Sequence, residues 1–132
     1  MFTKRFVFLR QWVYGAVGGT LFGFVSGILT GRLSLALASP DRAFDDIVFA
    51  LTGALVGCLI GVTLTVWLVG RTLQSGGGFG WTLLGSGVGG LLPLLLAEPL
   101  HLNQWPGGML TLVVLLAALG ATLAYRWSTR RV

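Results

Sequence analysis

The sequence predicts an all-α integral membrane protein: four antiparallel transmembrane helices packed through glycine zippers. Three observations predict it. Glycines stand at 15, 19, 23, 27 and 31, five in a row at a spacing of four, inside an almost wholly apolar run. Hydrophobic residues make up 55% of the 132 residues and charged residues only 10%, where soluble domains carry about 25% charged. Four apolar stretches, at about 12–31, 47–70, 79–97 and 105–125, each reach or approach the ~20 residues that cross a bilayer as helix. The length and these spans describe a single membrane domain over 1–132.

The remaining composition narrows the class. Glycine accounts for 21 residues, well above the usual ~7%, with no Gly-X-Y period that would signal collagen. In lipid, small residues let helix backbones approach closely. The net charge is +5, but the basic residues gather at the ends of apolar spans. There they set topology and meet anionic headgroups, so nucleic acid is not an expected partner. Cys58 is the one cysteine. It leaves no intrachain disulfide and no cysteine-based metal site, and it reads as a small packing residue.

Residues 1–11 are basic and aromatic, with Lys4, Arg5 and Arg10 ahead of the first span. They read as a topology-setting tail, with a short interfacial helix as the alternative. The first span carries the five-glycine strip Gly15, Gly19, Gly23, Gly27 and Gly31 and is followed by Arg32. The run 33–38 extends the apolar character by a helical turn or two. Its Ala36-Leu37-Ala38 looks like a leader cleavage site, but the apolar run exceeds the 7–15 residues of a leader core and reads as a retained span.

Ser39-Pro40-Asp41 has the chemistry of a helix start: a capping hydroxyl, a proline suited to the first position and a carboxylate at the positive helix end. The second span repeats the spacing at Gly53, Gly57 and Gly61. The following loop, 71–78, contains three consecutive glycines and reads as a flexible turn. No lysine follows it, which argues against a phosphate cradle. The third span carries Gly85 and Gly89, and Pro93 beyond them predicts a kink near Gly89–Gly90. The fourth has a weaker strip, Ala117, Gly120, Ala121 and Ala124, and the chain closes on Arg126, Arg130 and Arg131.

Placing both termini and the 71–78 loop on one side collects Lys4, Arg5, Arg10, Arg71, Arg126, Arg130 and Arg131 there, seven of the nine basic residues. The positive-inside rule then puts both termini in the cytoplasm, with a bacterial cytoplasmic membrane as the expected location. Trp12, Tyr14, Trp67, Trp81, Tyr125 and Trp127 fall on that side as an aromatic belt. The two halves also look alike. Residues 14–21 resemble 84–91, and Gly61-Val-Thr-Leu resembles Gly120-Ala-Thr-Leu. This predicts a parallel repeat of two helical hairpins.

Site chemistry is sparse. Asp41, Asp45 and Asp46 gather at the outer end of the second span. They read as helix N-terminal charge, with a cation-attracting outer mouth as the alternative. Glu98 and His101 form an outer polar pair, interfacial in the first reading and proton-accepting in the second. No ionisable side chain falls in the middle of a span, where proton and ion pathways leave their mark. With one histidine, no Ser-His-Asp set can be built, and no metal-ligand spacing is present. The chain does not resemble small multidrug exporters, which carry a glutamate in the first span. Nor does it resemble small dual-topology fluoride channels, whose third span has a Thr/Ser/Phe-rich break.

The expected function is therefore non-enzymatic, with no cofactor: an accessory or scaffold subunit of a larger membrane complex. It would act through glycine-mediated contacts with partner subunits, lipid or pigment. The alternative is a small channel or transporter, built as a homo-oligomer, with an acidic outer mouth. A third reading is a lipid-organising factor working through the basic face. Five glycines at a spacing of four drift round a straight helix by about 40° per step. The expectation is that one neighbour cannot use them all and that part of the strip stays free for a partner.

Overall fold

The computed structural model of the chain describes residues 2–37, 43–73, 76–96 and 106–130, and the side chains of 6–36, 48–73, 76–96 and 107–130. It is all-helical. Helix α1 spans Phe2–Leu37, α2 Ala43–Leu73, α3 Phe79–Leu96 and α4 Pro106–Thr129. All four contain stretches long and apolar enough to cross a membrane. Only 17% to 33% of each such stretch is buried within the chain. The rest is mostly Leu, Val and Phe facing outward, a surface suited to lipid.

Two elements run further than the spans suggest. The basic and aromatic tail is not separate from the first span, because α1 is helical from Phe2 and continues through the 33–37 run. α2 begins at Ala43, and the predicted start at Ser39–Asp41 lies outside the described residues. α4 opens on Pro106, where a missing N–H costs nothing. Pro93 sits inside α3, which stays helical from Phe79 to Leu96.

Glycine decides how α1 meets α2. A β-carbon on Gly15 would fall 2.6 Å from Val66 Cγ2, and one on Gly19 would collide with Val62. On Gly23 it would stand 3.1 Å from Cys58 Cβ, on Gly27 3.1 Å from Ala54 Cβ, and on Gly31 3.3 Å from Ala50 Cβ. The partner number falls as the α1 number rises. From the other side, Gly53 lies under Thr30, Gly57 under Ser26, and Gly61 within 2.7 Å of the Gly18 carbonyl oxygen by the same measure. The free part of the strip predicted from helical drift is therefore absent. α2 seats all five positions, helped by α4 at Gly15, where Ala118 Cβ is 3.4 Å away. Gly18, off the register of four, also faces α2 through Thr65 and takes up part of the drift.

α2 and α4 are the two central helices, each packing against all three others. The small-residue strip of α4, the weaker one in sequence, lies in the core. Ala117, Ala118, Ala121 and Tyr125 are completely buried. They form one core with Cys58, Val62 and Val66 of α2. Gly85 and Gly120 oppose each other, so that a β-carbon on either would run into the other's carbonyl oxygen. Such approach maximises dispersion contact, which drives helix association where no hydrophobic effect operates.

Hydroxyls in the spans mostly bond to their own helix. Thr63, Thr122, Thr82, Thr52 and Thr111 each donate to the carbonyl four residues earlier, at 2.7 to 3.0 Å. One pair also crosses between helices: Thr63 Oγ1 and Ser86 Oγ are 2.7 Å apart and both residues are buried. Replacing Thr63 with Val should cost about 0.6 kcal/mol, the average for an interhelical hydrogen bond in lipid. A double-mutant cycle with Ser86→Ala should recover that value as the coupling.

Candidate functional site

The expected acidic mouth and polar pair cannot be placed. Asp41, Glu98 and His101 lie outside the described residues, as do the side chains of Asp45 and Asp46 in the first turn of α2. The glycines named from sequence, 15, 19, 23, 27 and 31 on α1, 53, 57 and 61 on α2, and 85 and 89 on α3, all face another helix of the same chain.

One end of the bundle gathers the start of α1, the end of α2, the start of α3 and the end of α4. The guanidinium of Arg126 lies 5.2 Å from the Phe8 ring centre. That of Arg71 lies 5.2 Å from the Trp67 ring, and Trp67 meets Phe79 edge-on at 5.8 Å. Arg10 stacks over Tyr14. Cation–π contact keeps each guanidinium beside an amphipathic ring, an arrangement common at interfaces.

Two residues at this end depart from the sequence reading. Tyr125 is not part of an interfacial belt, because it is fully buried. Its ring fills the space left by Gly70 and Gly77. The Gly78 N–H donates to Ser128 Oγ at 3.0 Å. Gly77 and Gly78 are thus clamped onto α4, where a flexible turn was expected. Only Gly76, at φ 117°, uses the backbone freedom of glycine. Gln11, read as part of the tail, is also fully buried, with its Nε2 donating to the Val66 carbonyl at 3.5 Å and its Oε1 unpartnered.

A groove of about 670 Å³ opens on the outer surface between α3 and α4. Its origin is the glycine contact itself. Gly85, Gly89 and Gly120 line it and bring the two backbones together with no side chains above them. Leu84, Val88 and Leu92 form one wall, and Leu119 and Leu123 the other. At the basic end the groove is framed by Trp81 and Trp127, whose rings lie 6.2 Å apart, and by Arg126 and Arg130. Arg126 lies in the last turn of α4 and Arg130 in the turn just past its end. A smaller hollow of about 230 Å³, among Gly19, Gly23, Cys58 and Val113, carries no charged group.

Sequence reasoning treated Arg126 and Arg130 as topology signals. Their link to a groove depends on α3 lying alongside, which one-dimensional spacing does not encode. Among the described residues no cluster of His, Cys, Asp or Glu is arranged to hold a metal ion. No protein-family model, curated protein or solved structure matches this chain.

Proposed function

We propose that this chain is a non-enzymatic accessory subunit of a larger membrane assembly, docking partner helices against the outer face of α3. The observation that carries the reading is a pair of unseated glycines. A β-carbon on Gly80 or Gly87 would meet nothing within 4 Å. The two stand seven residues apart, close to two helical turns, on a face that also exposes Leu83 and Leu91. Every helical glycine of α1 and α2 is covered from within the chain, whereas these two leave room for another backbone to approach closely; Gly107, in the first turn of α4, is also uncovered but stands alone at the end of its helix.

On this reading adjacent helices run antiparallel and are zipped by glycine, both termini are cytoplasmic, and the basic end faces the cytoplasm. The similarity of the two halves supports a hairpin repeat. Thr63 and Thr122 occupy equivalent positions, both buried, and each donates to the carbonyl four residues earlier at 2.7 Å.

Variants of Gly23 or Gly27 test the fold of the chain, since α2 covers both. Partner docking is tested by the double substitution Gly80→Leu and Gly87→Leu. The chain should be extracted from its native membrane in mild detergent and followed by native electrophoresis with mass spectrometry. The parent chain is expected in a larger assembly and the double variant as the free, still helical chain. An assembly that persists in the variant, or a parent chain that runs alone, would overturn the proposal.

A further inference from the structure

We propose that the groove between α3 and α4 is a binding site for one anionic phospholipid, an acyl chain lying along its glycine floor and the phosphate held by Arg126 and Arg130. The site is centred on a different side of α3 from the partner face. Gly80 and Gly87 lie roughly 80–140° round α3 from the groove-lining Trp81, Val88 and Leu92, with Leu84 at the border between the two faces.

Three features on the groove itself select this ligand. The first is its length. From Trp81 to Leu92 along α3, and from Leu116 to Arg130 along α4, it covers roughly 16–21 Å at 1.5 Å per residue. That is close to the ~15 Å depth of one leaflet of a 30 Å hydrocarbon core. The second is the distribution of polarity. The walls are aliphatic over the whole run, and polar side chains appear only at one end. A soluble anion would gain nothing from the apolar length, and a neutral hydrocarbon nothing from the arginines.

The third is charge complementarity at that end. Like charges four residues apart at a helix end repel, and a phosphate between them converts the repulsion into two charge-assisted hydrogen bonds. Arginine suits this task because its planar fork meets phosphate oxygens in pairs. Phe8 under Arg126 holds one guanidinium at the mouth. Trp81 and Trp127 stand where indole rings favour the glycerol and headgroup level. The four carboxylates of the chain, at 41, 45, 46 and 98, belong to the α1–α2 and α3–α4 connections and the start of α2. The anion-attracting end of the molecule is the other one.

The test uses the full-length protein in nanodiscs and native mass spectrometry, with phosphatidylglycerol and phosphatidylcholine of the same acyl chains as probes. Each basic residue near the membrane surface contributes about 1 kcal/mol toward an anionic lipid, so two predict a preference of roughly thirtyfold for phosphatidylglycerol. Arg126→Gln with Arg130→Gln should reduce it to under about threefold by the same arithmetic. Val88→Trp, which fills the groove from an exposed position, should weaken retention of both lipids. Arg71→Gln, at the same end but outside the groove, should leave the preference unchanged. Glycerol phosphate without acyl chains should not compete. Equal retention of the two lipids by the parent chain, an unchanged preference in the double arginine variant, or an equal loss with Arg71→Gln would each overturn the assignment. Circular dichroism on every variant separates loss of the site from loss of the fold.

Discussion

Gly89→Ala is expected to destabilise the protein by about 2 kcal/mol or more, while Gly87→Ala, two residues away on the same helix, leaves it unchanged or slightly more stable. The contrast follows from what each new methyl group meets. At Gly89 the β-carbon would collide with the Leu116 carbonyl oxygen, with the Leu116 carbonyl carbon at 2.8 Å and Ala117 Cα at 3.1 Å. All three are backbone atoms of α4 and cannot rotate away. The helices would have to separate, losing dispersion contact along their length. At Gly87 nothing lies within 4 Å, so only the higher helix propensity of alanine remains, worth about 0.5–1 kcal/mol. Unfolding by sodium dodecyl sulfate in mixed micelles, followed by circular dichroism, measures both. Equal effects at the two sites would show that α3 and α4 do not meet through Gly89.

Tyr125→Ala should cost about 3 kcal/mol, the low end of the range for removing a fully buried aromatic side chain. The ring holds together three parts of the chain that are distant in sequence: Gly70 at the end of α2, Gly77 in the connection and the end of α4. Removing it should also loosen the glycine connection, so proteolytic nicking between α2 and α3 should rise out of proportion to the global loss. Tyr125→Phe keeps the ring and should cost no more than about 1 kcal/mol, the worth of a typical hydrogen bond. If the alanine variant unfolds no more easily than the phenylalanine variant, the ring is not what joins these segments.

The four helices were legible because lipid demands one thing of a spanning segment, that it be apolar and satisfy its backbone internally. Their ends were less so. The apolar pattern stops at charged and polar residues, whereas helical hydrogen bonding does not. α1 accordingly takes in the Lys4–Arg10 stretch that composition alone reads as a tail. Residue type also misled at single positions. Tyr125 reads as an interfacial aromatic and Gln11 as a tail residue, yet both are buried, because what decides their place is the cavity left by Gly70 and Gly77 and the space beside Val66.

By itself the sequence determined that this chain is four membrane-length apolar helices with glycine set at helical spacing, and that seven of its nine basic residues stand at span ends other than those that carry its four acidic residues. Both follow from periodicity and composition, which are local properties. Only the tertiary structure decided what the opening strip of glycines is for. Spacing shows that a helix can be approached closely and does not show by what. In the fold, Gly15 to Gly31 are all taken by α2, with α4 completing the contact at Gly15. Gly80 and Gly87 of α3, outside that strip, are left uncovered. The contact of α3 with α4 through Gly85, Gly89 and Gly120 also opens a groove at whose end Arg126 and Arg130 stand. Which small residue meets which helix depends on the rotation of every helix about its axis. That rotation is settled by the packing of all four together.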